Sequence, residues 1–89
     1  MNSKERSILR ARAHNLNPVV IIGKNGINQG AIKNIDMALK AQELIKVKFI
    51  EYKKDKKIIS ESIAKKIGAT LISIIGHTII FYRKRQDGT

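Results

Sequence analysis

The chain has 89 residues, 43% of them apolar and only 4% aromatic, with 18 Lys and Arg against 7 Asp and Glu and a formal charge of +11. That length holds one aliphatic core and leaves no room for a separate cofactor domain, and no apolar stretch approaches the ~20 residues that a membrane-spanning helix needs. The charge far exceeds what solubility requires and points to a polyanionic partner, either nucleic acid or an anionic membrane surface.

Asn2 and Glu5 stand at capping-box spacing, so a first helix is predicted from Asn2 and Ser3 to about His14 or Asn15. Ile8, Leu9, Ala13 and Leu16 form its apolar strip, and Arg6, Arg10, Arg12 and His14 surround that strip with positive charge. Pro18 disfavours a helical Asn17 and stops the helix. Val19 to Ile22 then reads as a short buried strand. After GKNG the period changes, with Ala31, Ile32, Ile35, Ala38 and Leu39 on one stripe and Lys33, Asn34 and Lys40 outside it. This predicts a second helix from Asn28 to Gln42.

Leu44 to Ile50 alternates, so Ile45, Val47 and Phe49 share one face of a strand while Lys46 and Lys48 lie on the other. Lys53, Lys54, Lys56 and Lys57 crowd the following turn. Asp55 is the predicted cap of a third helix whose Ile59, Ile63 and Ile67 point inward and which Gly68 ends. TLISII and TIIFYR flank Gly76 and His77 at the spacing of a two-residue hairpin, and glycine at the first turn position suits type II′. Phe49 and Phe81 fit the buried alternation, and Tyr52 and Tyr82 fit core or rim packing. The order αβαβαββ defines an α/β fold: one compact domain over residues 1–85, with helices on a four-stranded mixed sheet, and a short polar tail over 86–89. Two strand–helix–strand crossovers and a closing hairpin build it.

No catalytic constellation is visible. GKNG does not extend to the G-x-x-x-x-G-K-[ST] phosphate loop, and Gly23, Gly26 and Gly30 miss the dinucleotide spacing. His14 and His77 are the only histidines, the acids are scattered, and there is no cysteine. The expectation is a protein without enzymatic activity, metal, cofactor or small-molecule substrate. The start of the chain lacks the apolar segment of a secretory signal, which fits a cytoplasmic setting.

The glycine loop carries more information. Asn25-Gly26 is also a hairpin signal, but the helical period after it makes GKNG a strand-to-helix connection. A helix start offers unpaired N–H groups and partial positive charge to an anion. Gly23 and Gly26 would let a phosphate backbone approach, Lys24 adds a full charge, and Asn25 can donate to a phosphate or a base edge. On these residues alone, a plain turn and a phosphate holder both stand. Lys46 and Lys48 likewise read as a wet sheet face or a phosphate track. With so few aromatics, backbone contacts should outweigh base stacking.

LRARAHNLNPVVIIGKNGINQG, then ELIKVK, then IIGHTIIFYR resemble in order and spacing the CRM domain (chloroplast RNA splicing and ribosome maturation), in its bacterial stand-alone YhbY form. The resemblance spans about Ser3 to Arg83. It implies a fold similar to the C-terminal domain of a bacterial translation initiation factor, and RNA as partner, in particular ribosomal RNA in precursors of the large subunit. It also implies that Gly23, Lys24, Asn25 and Gly26 are the RNA loop. Arg6, Arg10, Arg12, Lys33, Lys46, Lys48 and Arg83 are then the expected cationic surround. The competing readings are a DNA-coating chromatin-type protein and an enzyme acting on RNA through His14 or His77.

Overall fold

The computed structural model describes residues 1–23, 27–50 and 55–84. Helix α1 (Ser3–Ala13) starts from the capping box: the Glu5 amide donates to Asn2 Oδ1 at 2.8 Å, and the Glu5 carboxylate accepts from the Asn2 amide. Strand β1 (Pro18–Ile22) begins one residue earlier than predicted. It is an edge strand, and its first residue is a position where proline's missing N–H does little harm. Helix α2 (Gln29–Ala41) lies within the predicted span, with Asn28 as its cap accepting from the Ala31 amide at 2.8 Å.

Strand β2 (Leu44–Phe49) leads to α3 (Lys56–Ile67), then to β3 (Thr70–Ile75) and β4 (Thr78–Tyr82). Gly68 ends α3 in the left-handed conformation at φ 67°, as its placement suggested. In the hairpin, Ile75 pairs with Thr78 and φ is positive at Gly76 but not at His77, which fits type II′ and excludes type I′. Asp55 departs from expectation. It holds the N-cap position at φ 60° and makes no side-chain cap bond. The start of α3 is instead tied to the hairpin by Lys56 Nζ, which donates to the Gly76 carbonyl at 2.8 Å. Tyr52, Lys53, Lys54 and the tail from Arg85 lie outside the described residues.

The sheet order is β1-β2-β4-β3, with β1 parallel to β2 and β4 antiparallel to both neighbours. Both crossovers therefore join parallel strands, and β4 is inserted between the second pair. Alternation gives the sheet two apolar faces. Val20, Ile22, Ile45, Val47, Phe49, Ile79 and Phe81 pack under α2 and α3 with Ile35, Leu39 and Ile63. On the other face, Leu9 and Ala13 of α1 pack on Ile72 and Ile80, with Leu16, Leu44 and Tyr82 around them. The strip on α1 is narrower than predicted, since Ile8 remains 50% exposed. A lone helix on a sheet buries one row of side chains, and Ile8 is rotated about 100° from Leu9.

Candidate nucleic-acid interface

The parallel register places Ile21 beside Lys48 and Ile22 beside Phe49, and Lys48 in turn pairs with Thr78. The start of the β1–α2 connection, the cationic end of β2 and the β3–β4 hairpin thus gather at one end of the sheet. Gly23 opens that connection. Lys24, Asn25 and Gly26 lie outside the described residues. Gly23 itself has no positive φ, and a Cβ built on it would meet nothing within 4 Å. Neither backbone geometry nor internal packing of the described residues requires a glycine there.

The face that bears Lys46 and Lys48 is not the open wet surface that alternation alone suggests, because α1 lies across it. Arg6 at one end of α1 reaches β3, while the His14 carbonyl at the other accepts from Lys46 Nζ on β2 at 3.1 Å. Between helix and sheet runs a groove of about 420 Å³, lined by Ser7, Arg10, Ala11 and His14 from α1 and by Lys46, Ile75, Thr78 and Ile80 from the sheet. Arg10 is exposed and makes no side-chain hydrogen bond or ion pair with a described residue. Lys48 is exposed just beyond the groove.

The other expected cations go elsewhere. Arg12 lies on the opposite flank of α1, beside Gln42, Glu43 and Tyr82. Lys33 is on the outer side of α2, over the seam with Lys66 and Ile67 of α3. Arg6 Nη1 donates to the Leu71 and Ile72 carbonyls at 2.6 and 3.0 Å, at an irregularity in the β3 pairing that leaves these groups accessible. Its guanidinium fastens α1 to the sheet edge. Ser7, Ile75, Thr78 and Ile80 were not singled out from sequence. Thr78 and Ile75 become visible as groove residues only once β4 is known to lie beside β2.

Arg83 is likewise held internally. Its Nη1 donates to Asp36 Oδ1 at 2.5 Å and to the Ile67 carbonyl at 2.8 Å, and its Nη2 donates to the Asp36 carbonyl at 3.0 Å. It pins the end of β4 to α2 and α3. The hydrogen bond from Arg83, and less strongly the charges of Arg83 and Lys40, hold the Asp36 carboxyl below its ordinary value against partial burial, which pushes it up. A lowered folded-state value means that this stability is fully present above about pH 4 and is lost as pH falls through the lowered value. In urea titrations along a pH series, the stability gap between wild type and Asp36→Asn should be constant near neutrality and narrow below about pH 4. A gap that stays constant through that range would show that the carboxylate charge contributes nothing.

Among the described residues no cluster of His, Cys, Asp and Glu could hold a metal ion, and no helix is long and apolar enough to cross a membrane. The family model for the CRS1/YhbY (CRM) domain matches residues 1–83. A Bacillus subtilis protein named "Probable RNA-binding protein YqeI" is 36% identical over 88 residues, covering 98% of this chain and 92% of its own. A Haemophilus influenzae protein named "RNA-binding protein" is 35% identical over 88 residues, with 98% and 89% covered. The solution structure of SAV1595 from Staphylococcus aureus superposes with a TM-score of 0.85 at 37% identity, covering all of this chain and 94% of that one. With the family model matched over residues 1–83, the chain belongs to the CRS1/YhbY (CRM) domain family.

Proposed function

We propose that this is a non-catalytic RNA-binding protein that docks on structured ribosomal RNA in precursors of the large ribosomal subunit. The names of its relatives support RNA as the partner. The observation that carries the reading is Gly23: among the described residues nothing lies within 4 Å of where its side chain would stand, so its backbone is open to an external use. A backbone that must come within hydrogen-bond reach of a phosphate is such a use.

In this reading Gly23 and Gly26 admit the RNA backbone, Lys24 and Asn25 contact phosphates or base edges, and Arg10, Lys46 and Lys48 carry the contact along the sheet. Arg12 and Lys33 act at longer range as part of the field that steers a polyanion inward. Arg6 and Arg83 hold the platform in shape. Crosslinking in cells, followed by mapping of the bound RNA, is the direct test. Large-subunit precursor RNA should be recovered with wild type, and its yield should fall for Gly23→Ala at equal protein level. Recovery of chromosomal DNA instead, or an unchanged yield with Gly23→Ala, would count against the reading.

A further inference from the structure

Resting on that reading, we propose that the groove between α1 and the sheet takes one unpaired nucleotide, so that this protein selects RNA with an unpaired stretch over continuous duplex. Three features of the groove point there. Its volume, about 420 Å³, falls in the range of small-molecule sites, about 300–1,000 Å³. Its floor is apolar: Ile80 is buried, and Ile75, on the same face of the sheet, keeps 56% of its surface exposed. Its rim combines two hydroxyls, Ser7 and Thr78, with the cations Arg10 and Lys46.

This combination matches a nucleotide rather than a bare phosphate. A flat base covers exposed isoleucine, hydroxyls can donate to or accept from its edge, and the cations take the phosphate. Lys46 is preorganised for this role. One of its three donors is held by the His14 carbonyl, which fixes the ammonium at the groove and leaves two donors for phosphate oxygens. A paired base cannot reach the floor, because an A-form helix offers only base edges along a wide, shallow minor groove.

The sheet register also leads from the groove toward Gly23. Thr78 pairs with Lys48, Lys48 pairs with Ile21, and Gly23 follows two residues on. β4 and β1 are two strand spacings apart, roughly 10 Å, so a single strand leaving the groove passes Lys48 on its way to Gly23.

The test is fluorescence anisotropy with two labelled RNAs of equal nucleotide number, one a hairpin with an unpaired loop and one a fully paired duplex, using wild type, Ile75→Ala and Thr78→Ala. Both substitutions leave the charge unchanged, and the exposure of Ile75 keeps its removal mild for folding; thermal unfolding checks this. Wild type should prefer the hairpin. Each variant should weaken hairpin binding by about three- to tenfold and change duplex binding by less than about twofold.

Amide chemical shifts give a second readout: an unpaired oligonucleotide should move the signals of Ala11 and Thr78. Equal affinity for the two RNAs, variants that lose both equally or neither, or shifts confined to residues 23–28 would overturn the groove assignment while leaving RNA binding intact. Wild type that binds neither RNA would overturn the functional reading itself.

Discussion

Replacing Lys24 and Asn25 together by alanine is expected to weaken binding to structured RNA by about ten- to a hundredfold while leaving the thermal midpoint within about 2 °C of wild type. A hydrogen bond to a charged group contributes about 1.5–3 kcal/mol and a neutral one about 1 kcal/mol, with tenfold in affinity for each 1.4 kcal/mol. The salt dependence gives a second, independent reading. Loss of one phosphate contact should lower the log–log slope by roughly 0.7 to 0.9. Affinity and thermal midpoint falling together would make GKNG a turn whose importance is structural. An unchanged affinity would move the interface elsewhere on the sheet.

Arg83→Ala should do the opposite. The guanidinium makes three hydrogen bonds that tie β4 to α2 and α3, and it is only 20% exposed. Among the described residues, its removal leaves the Asp36 carboxylate with Lys40 as its one remaining ion-pair partner, in a largely solvated i,i+4 pair at 3.6 Å. A loss of about 2 kcal/mol follows from the charged hydrogen bonds, discounted for the solvent around Asp36. In a domain of this size that lowers the thermal midpoint by roughly 10 °C. RNA affinity, measured well below that midpoint, should change only by the few-fold due to one missing charge. A variant with normal stability and poor RNA binding would return Arg83 to the binding surface, where the sequence alone had put it.

The hydrogen bonds of Arg83 show what one sequence can and cannot yield. Asn2 with Glu5, Gly68, the Gly76-His77 turn and the alternation of Ile45, Val47 and Phe49 were readable because each is decided within a few residues. Arg6 and Arg10 could not be separated that way. They are the same residue type, one turn apart on one helix, and their difference is made by β3, more than sixty residues away, whose carbonyls meet one and not the other. Lys46 looked like half of an open phosphate track for the same reason: nothing in its own strand reveals that α1 lies across that face. Asp55 had the right position and the wrong chemistry, since side-chain identity suggests a cap but backbone conformation decides whether the oxygen can reach the amides.

The strand order has a consequence for how the chain becomes a fold. Among the described residues β2 and β3 share no ladder, and the β1–β2 half of the sheet is joined to β3 through β4, which follows the other three strands in chain order. The parallel pair with its helix can form early, but β3 must wait beside an empty lane until Thr78 to Tyr82 arrives. The same strand carries Thr78 and Ile80 into the groove. A half-made chain therefore has its lysines but no platform to hold them in line, and closure of the sheet and assembly of the groove become a single event.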